Sequence, residues 1–366
     1  MDKISFPYRA SSHLALLHVI SESGAWEKHG LDVNYDYQIS STDAHRLVAS
    51  GEVEFVGGNH VSTYAHRARG DNWVYLGQTM NYVYPKLVVR SDSEINTIAD
   101  LRGKVVGTRG SHPSLNDWLL LKQRGLDSDR DEVVFDNKLK LKKGTMDPAD
   151  PEKHAKSLPL WQEVKDGTID AALQMPPASL FAEAAGLKVI DIEPMPMIWY
   201  TTVSSSLSFV EKNPDLVERF LKGIIEGIHF FKTEPEKSIK ILEDRYLREG
   251  KMNRSQATFT YQTMVDVLEP KIYPSMAAIS NVYEEAKRQD ADAGRINPLE
   301  LWDLHPIRRI DDSGFFASLY DRKRGPDISK DAKDPEYKKE VAAQQAKVIA
   351  DVKLCGHPMG KDCECE

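Results

Sequence analysis

The sequence predicts an α/β protein of two lobes, and three observations lead to that prediction. A chain of 366 residues exceeds what one hydrophobic core ordinarily serves, which favours two lobes. Strand-like and helix-like segments alternate through the first half of the chain, as they do in doubly wound sheets. After a last strand-like segment at residues 198–206 the pattern becomes almost entirely helical, which indicates a return to the first lobe and a helical C-terminal extension.

Residues 1–88 form the predicted first part of lobe 1. Strands are expected at residues 4–8, 31–37, 53–57 and 73–78, and helices at residues 13–24, 42–51 and 59–70. Thr42 or Asp43 is expected to cap the second helix, and Gly24 and Gly51 are expected to end the first two. Because helices connect these strands, the sheet is expected to be parallel.

Residues 89–198 form the predicted second lobe, and residues 199–320 the mostly helical return to lobe 1. The expected strands lie at residues 86–90, 132–135, 168–173 and 187–192, with a short helix and a strand at 98–110 and helices at 114–125 and 158–167. Residues 321–366 are rich in Lys, Asp and Glu and are predicted to be a solvated tail.

Composition argues against two classes of protein. The net charge of −8 is unlike the basic face that a nucleic-acid partner requires. No apolar stretch approaches the roughly 18 residues of a membrane helix. The N-terminus, MDKISFPYRA, has no basic segment followed by an apolar one, so the chain as given is expected in the cytoplasm, or in the periplasm if it is a trimmed mature form.

Four stretches carry a resemblance to a known family. They are SESGAWEKHGLDV (21–33), LVASGEVEFVGG (47–58), IADLRGKVVGTRG (98–110) and VEKNPDLVERFLKGIIEG (210–227). In this order they resemble the type 2 periplasmic-binding-protein fold, and within it the solute-binding group for sulfonates, nitrate, riboflavin and thiamine-pyrimidine precursors. The resemblance covers roughly residues 4–320. It implies two lobes joined by strands that cross near residues 86–90 and 198–204, with a ligand held in the cleft.

Polar residues follow the predicted strands of lobe 1, where ligands bind in open α/β sheets. Arg9 offers a guanidinium, and Ser12 and Ser41 offer hydroxyl groups beside helix starts. Gly58 permits a close approach to the backbone, and Asn59 and His60 are expected at the start of a helix. His66 and Arg67 follow a turn or more later and are expected on the surface. The alternative is that the serines are only helix caps.

Lobe 2 and the crossing strands supply further candidate ligand-binding residues. Arg109, Ser111 and His112 follow a strand and open a helix, which suits a carboxylate, sulfonate or phosphate group. Tyr82, Gln174 and Trp199 are also candidates, although aromatic side chains near crossing strands are equally expected to pack in the hinge.

An enzymatic alternative rests on Ser11, His45 and His60. The hydroxybiphenyl-sulfinate desulfinases of this fold have a nucleophilic cysteine in the first loop and a histidine in the helix after the second strand. Counting along the chain places Ser11 at the cysteine position and His45 at the histidine position, while the desulfinase arginine falls on Phe55. The thiamine-pyrimidine synthases of the fold have an iron-linked cysteine cluster, but theirs lies mid-chain.

All three cysteines of this chain lie in the tail sequence CGHPMGKDCECE. Cys355, His357, Cys363 and Cys365 are chemically able to bind zinc or iron, but C-x-H and C-x-C are tighter than the usual C-x2-C spacing. A disordered tail is the favoured interpretation, and the sequence assigns neither a metal site nor a cofactor.

Two function classes therefore stand. The first is a binding protein for a small anionic or aromatic solute, the substrate-binding component of an ABC-type importer with a permease as its partner. The second is a cytosolic enzyme on the same fold, a decarboxylase, desulfinase or pyrimidine-synthase-like lyase or hydrolase of C–S or C–C bonds, using Ser11 and His45 or the other cleft histidines. The first is favoured, and the identity of the ligand and the oligomeric state are left open.

Overall fold

The computed structural model describes residues 1–107, 115–127, 130, 132–136, 160–175, 178–247 and 250–320. Contacts divide the chain into two compact units, Met1–Ser313 and Gly314–Glu366. The described part of the second unit contains one helix. Within the described residues, none of the helices combines the length and apolar character that a membrane crossing requires.

The strands in chain order are β1 (Asp2–Ser5), β2 (Leu31–Asn34), β3 (Phe55–Gly57), β4 (Trp73–Val83), β5 (Lys86–Val89), β6 (Val105–Gly107), β7 (Val134–Asp136), β8 (Ala171–Gln174), β9 (Lys188–Asp191), β10 (Met195–Ser206), β11 (Tyr246–Leu247) and β12 (Gly250–Lys251). The α-helices are α1 (Leu14–Glu22), α2 (Ala25–Lys28), α3 (Ser41–Ser50), α4 (Thr63–Ala68), α5 (Leu115–Gln123), α6 (Leu160–Lys165), α7 (Ala178–Ala184), α8 (Leu207–Lys212), α9 (Pro214–Thr233), α10 (Pro235–Asp244), α11 (Arg254–Val265), α12 (Met276–Gln289), α13 (His305–Asp312) and α14 (Phe315–Tyr320). Short 3₁₀ helices lie at Ser11–His13, Ile98–Leu101, Ala291–Arg295 and Pro298–Leu301.

The strands form two main β layers, each with parallel and antiparallel pairs. In the first, β1 pairs with β2 in parallel, and β10 lies between β3 and β4 and is antiparallel to both. Tyr8 makes parallel bridges to Gln38 and Gly57, which joins the two groups side by side. The second layer has the order β7-β6-β8-β5-β9, with β5 antiparallel to β8 and β9.

The predicted parallel sheet is therefore wrong in one respect. The strands that carry the chain between the layers run antiparallel to the strands beside them. In the first layer, β4 takes the chain out and β10 brings it back, so the two run in opposite directions. The chain passes from β4 to β5 at residues 84–85 and from β9 to β10 at residues 192–194, a few residues before the expected crossings. The lobe boundaries at residues 88, 198 and 320 stay a prediction.

Helices α1, α2 and α9 pack closely beside β1 and β3. A Cβ on Gly227 of α9 would lie 2.5 Å from the Cγ1 of Ile20, so glycine is needed for this approach. Phe220 of α9 stacks on Phe55 with ring centroids 4.0 Å apart. Phe55 is wholly buried in that stack.

The helix expected from residue 59 begins later, at Thr63. Asn59 has a φ of 66°, in the left-handed region, which cannot start a right-handed helix. Asn59 and His60 therefore lie in a turn that follows β3. The helix cap expected at Thr42 or Asp43 also shifts, because Ser40 accepts the hydrogen bond from the backbone N–H of Asp43 at 2.9 Å.

Candidate functional site

The loops that follow β1, β2 and β3 converge at one edge of the first layer. The backbone N–H of Arg9 donates to the carbonyl oxygen of Gly57 at 3.0 Å, immediately beyond the bridges of Tyr8. The Arg9 guanidinium crosses to the next loop and donates to the carbonyl oxygen of Ile39. Three strand ends are thus held together by a single residue, in agreement with the rule that places ligands at such edges.

Arg9 is a half-buried cation without an acidic partner. Its Nε donates to the Oδ1 of Asn59 at 3.2 Å, and among the described residues no carboxylate lies within the 4.0 Å of an ion pair. Burial lowers the pKa of the guanidinium to about 10, and the more distant Asp43 only partly opposes this. The group is still charged at neutral pH, so its charge is available to an anion.

Asn59 is the polar centre of the converging loops. Its Oδ1 accepts from Arg9 and from the Oγ of Ser41 at 3.0 Å, which fixes the orientation of the amide. The Nδ2 therefore faces the Nε2 of His45, 3.3 Å away. The left-handed backbone is held by the Tyr75 hydroxyl, which donates to the Asn59 carbonyl oxygen at 3.0 Å. An asparagine is well suited to this position because it tolerates positive φ.

Gly58 lies where the strand end approaches the first loop. Its φ is 107°, and a Cβ there would lie 3.0 Å from the Cβ of Arg9 and 3.1 Å from the Cε1 of His13. The expectation that a glycine permits a close approach is thus met, but the approaching groups belong to the protein itself. Any side chain at this position would displace Arg9.

His13 and Tyr200 form a buried aromatic pair beneath these loops. The rings stack with centroids 5.3 Å apart, and the His13 Nδ1 lies 3.3 Å from the Oγ1 of Thr201. Burial, with smaller contributions from the nearby His60 and Arg9, lowers the pKa of His13 to about 3. Tyr200 has a φ of 67° within β10, at a break in the strand register. Such backbone strain is concentrated at functional sites in proteins.

His60 and His45 are both uncharged at neutral pH. Burial lowers the pKa of each to about 4, and the positive charge of Arg9 acts in the same direction on both. The Nε2 of His45 lies 3.0 Å from the Oγ of Ser62. Among the described residues of this cluster, Arg9 therefore carries the one positive charge, and its neighbours are neutral donors and acceptors.

The remaining predicted residues lie in several places. Ser12 is exposed, and its carbonyl oxygen accepts from the Tyr200 hydroxyl. Trp199 is half-buried beside Tyr200, with ring centroids 5.8 Å apart, and its indole nitrogen has no partner within the described part of the chain. Tyr82 is exposed on β4 and close to Tyr84, which follows the strand.

Gln174 ends β8 of the second layer and is buried, and its Oε1 has no hydrogen-bond partner among the described residues. The predicted residues Arg109, Ser111 and His112 lie outside the described residues, and so do the tail residues Cys355, His357, Cys363 and Cys365. The side chain of Ser11 is also outside them, so the pairing of Ser11 with His45 stays a prediction.

The structure thus brings together Arg9, Ser41, Gly58, Asn59, His45 and His60. Sequence reasoning missed His13 and the contact between His66 and His45. His66 is partly exposed, as expected, and its ring also stacks on that of His45 with centroids 3.4 Å apart. The contact joins α3 and α4 and depends on how these two helices pack, so no local pattern in the sequence indicates it.

A separate groove lies between α7 and α11. It has a volume of about 420 Å³ and is lined by Leu180, Phe181, Glu183, Ala184, Ser255, Gln256 and Phe259. None of the predicted site residues lines this groove, and its wall has one acidic group and no basic one.

Comparison with known proteins agrees with the converging-loop architecture. Residues 12–150 match the family model described as NMT1/THI5 like, a stretch that includes the loops after β2 and β3. A comparison with curated protein sequences gives no match. Among solved structures, a periplasmic sulfonate-binding protein SsuA from Methylobacillus flagellatus is 14% identical, with a TM-score of 0.60, and the match covers 86% of this chain and 95% of that one. The fold is that of the periplasmic binding proteins.

Two further structures share it. The alkanesulfonate-binding protein SsuA of Xanthomonas axonopodis pv. citri, bound to MOPS, is 14% identical over 83% of this chain and 99% of that one, with a TM-score of 0.56. The desulfurization enzyme DSZB is 14% identical over 86% and 99%, also with a TM-score of 0.56. Because the same fold is found in a binding protein and in an enzyme, it does not by itself decide the function.

Proposed function

We propose that the chain binds a small organic anion at the converging loops of Arg9, Asn59 and His60, as the solute-binding component of an importer. The observation that carries this proposal is the unpaired guanidinium of Arg9, which is partly removed from water and lacks a carboxylate within ion-pair distance among the described residues. A sulfonate or carboxylate group of a ligand would supply the missing negative charge. The similarity to sulfonate-binding proteins, one of them named as part of an ABC transporter, supports the same class of ligand.

The energetic argument follows from partial burial. A cation that has lost part of its hydration is costly unless an anion or several acceptors replace the water. Arg9 has two acceptors, the Oδ1 of Asn59 and the carbonyl oxygen of Ile39, which orient the guanidinium but do not neutralise it. A planar guanidinium binds carboxylate and sulfonate oxygens through paired N–H donors. Preorganised by Asn59, Arg9 needs little rearrangement to receive such a group.

The histidines favour binding over proton transfer. A general base works best when its pKa lies near the operating pH. Burial lowers the pKa of His45 to about 4, and its Nε2 is already engaged by Ser62 and Asn59. A neutral, hydrogen-bonded histidine is well suited to hold a loop in place, and it is a weak base at pH 7.

Calorimetric titration of the purified chain tests the proposal. MOPS, ethanesulfonate, benzenesulfonate and benzoate are titrated in a buffer free of other organic anions. Arg9→Gln should weaken binding by about 1.5–3 kcal/mol, or roughly 10- to 150-fold, because a charge-assisted bond is lost. The matched control is Arg46→Gln, at an exposed arginine whose nearest carboxylates are Asp43 and Glu52. The control should bind like the parent chain.

Two results would contradict the proposal. Equal affinity of the Arg9→Gln and parent chains for a bound anion would remove Arg9 from the site. Conversion of the ligand, detected by mass spectrometry after incubation, would favour the enzymatic alternative on the same fold. Recovery of the unchanged ligand in stoichiometric amount supports a binding protein.

A further inference from the structure

His45, His66 and Asp71 form a compact group of metal-ligating side chains behind the converging loops. One ligand atom from each residue lies within 4.8 Å of the other two, and within the described residues this is the one such group of three. The Nδ1 of His66 is 2.7 Å from the Oδ2 of Asp71. His45 and His66 come from α3 and α4, and Asp71 comes from the loop before β4.

His45 has a buried ring nitrogen without a hydrogen-bond partner among the described residues. The side chain is more than nine-tenths buried, and its Nδ1 has no hydrogen-bond partner within the described residues. Its Nε2 is occupied by Ser62 and Asn59, so the unpartnered nitrogen is Nδ1. A buried polar atom without a partner is rare in folded proteins and calls for an explanation such as a bound ion.

We propose that His45, His66 and Asp71 bind a divalent transition-metal ion of the zinc class. Two imidazoles and one carboxylate are a common donor set for Zn²⁺, and calcium or magnesium would require oxygen ligands. Ligand atoms at about 2.0–2.1 Å from a tetrahedral ion lie roughly 3.4 Å from each other. The group must contract from its present spacing of up to 4.8 Å, and the stacked rings of His45 and His66 must turn apart so that each directs a nitrogen at the ion.

Binding of the ion requires the other tautomer of His45, because the Nδ2 of Asn59 now donates to the Nε2 of His45 at 3.3 Å. With metal on Nδ1, the neutral ring carries its proton on Nε2 and donates it to the Oγ of Ser62, 3.0 Å away. Metal-bound histidines commonly make such a second hydrogen bond, which orients the ring. Asp71 and His66 are half-exposed, so an ion can enter from solvent while His45 closes the inner side.

Zinc titration of the full chain tests this assignment. Cys355, Cys363 and Cys365 are first alkylated, so that the tail thiols cannot bind the ion, and the chain is freed of metal with a chelator. A chromophoric chelator then competes with the protein for added zinc. The parent chain should bind one equivalent, and His66→Gln and Asp71→Asn should each weaken that binding about 100-fold or more.

The control variant is His305→Gln. His305 pairs with Asp303 at 2.8 Å, as His66 does with Asp71, but it lies on the surface and forms no group of three with other described residues. This variant should keep the parent affinity. Cobalt in place of zinc should give the visible absorption of a nitrogen- and oxygen-ligated site in the parent chain and lose it in Asp71→Asn.

Three results would overturn the assignment. They are the absence of zinc binding by the alkylated parent chain, equal zinc affinity of the parent and Asp71→Asn chains, and equal loss of affinity in His305→Gln. Circular dichroism confirms that each variant is folded. If His66→Gln does not fold, Asp71→Asn decides, because Asp71 is partly exposed and its removal leaves the stacked histidines in place.

Discussion

Replacing Glu285 with glutamine should abolish a large pH dependence of stability. Glu285 lies on α12 and is fully buried, and neither of its carboxyl oxygens has a hydrogen-bond partner among the described residues. Burial, with a smaller contribution from the nearby Asp117, raises its pKa from 4.5 to about 9. The side chain is therefore protonated in the folded protein at pH 7, whereas the unfolded chain ionises near pH 4.5.

Proton linkage determines the sign and size of this pH dependence of stability. Between pH 4.5 and about 9 the folded state holds a proton that the unfolded state has lost, so stability falls as pH rises. Each unit of pKa difference corresponds to roughly 1.4 kcal/mol. The expected loss is thus about 1.4 kcal/mol per pH unit and on the order of 6 kcal/mol across the whole interval. Glutamine is nearly isosteric and has no proton to lose, so the variant lacks this contribution.

Urea unfolding at pH 5, 6, 7 and 8 measures the effect. The free energy of unfolding of Glu285→Gln minus that of the parent chain should grow by about 1.4 kcal/mol per pH unit, because all other titrations are common to both. Glu284→Gln is the matched control, at the preceding, half-exposed residue that is bonded to Lys287. Its difference from the parent should not change with pH. A constant difference for Glu285→Gln would show that the carboxyl group ionises normally in the folded protein.

Two further substitutions test the packing and the site. Gly227→Ala should destabilise the chain by about 2 kcal/mol in urea unfolding, because the new Cβ would lie 2.5 Å from a side-chain carbon of Ile20. The control is Gly294→Ala, whose Cβ would lie 3.7 Å from Lys287 and which should change stability by less than about 0.5 kcal/mol. Asn59→Ala should cost about 1 kcal/mol more than Asn59→Gly, because the φ of 66° strains alanine but not glycine. Similar stability of the two Asn59 variants, or of the two glycine variants, would contradict these explanations.

The order of the elements could be predicted from the sequence because it depends on local patterns. Capping residues and a terminal glycine locate α3, and the structure ends this helix at Gly51 as expected. The first residue of the helix could not be predicted in this way, because residues 40–43 (Ser, Ser, Thr and Asp) are all typical capping residues. Only the backbone geometry selects Ser40.

Long-range pairing could not be predicted in the same way. The apolar pattern of β10 is that of any buried strand, and its antiparallel position between β3 and β4 depends on where the chain returns. The position of Asn59 has a similar cause. Its left-handed backbone is stabilised by Tyr75, a residue from the next strand. A helical pattern in the sequence therefore extended four residues too far towards the N-terminus.

His45 links the proposed anion site to the proposed metal site. In the hydrogen-bond network around Asn59, the amide Nδ2 donates to the Nε2 of His45, so the proton of the neutral ring is on Nδ1. An ion on Nδ1 would reverse this, because a neutral imidazole has only one unprotonated nitrogen. The Asn59 amide would then lose its acceptor, at a cost of about 1 kcal/mol. This cost weakens the affinity for the ion roughly fivefold, while the bond from Arg9 to the Oδ1 of Asn59 is kept.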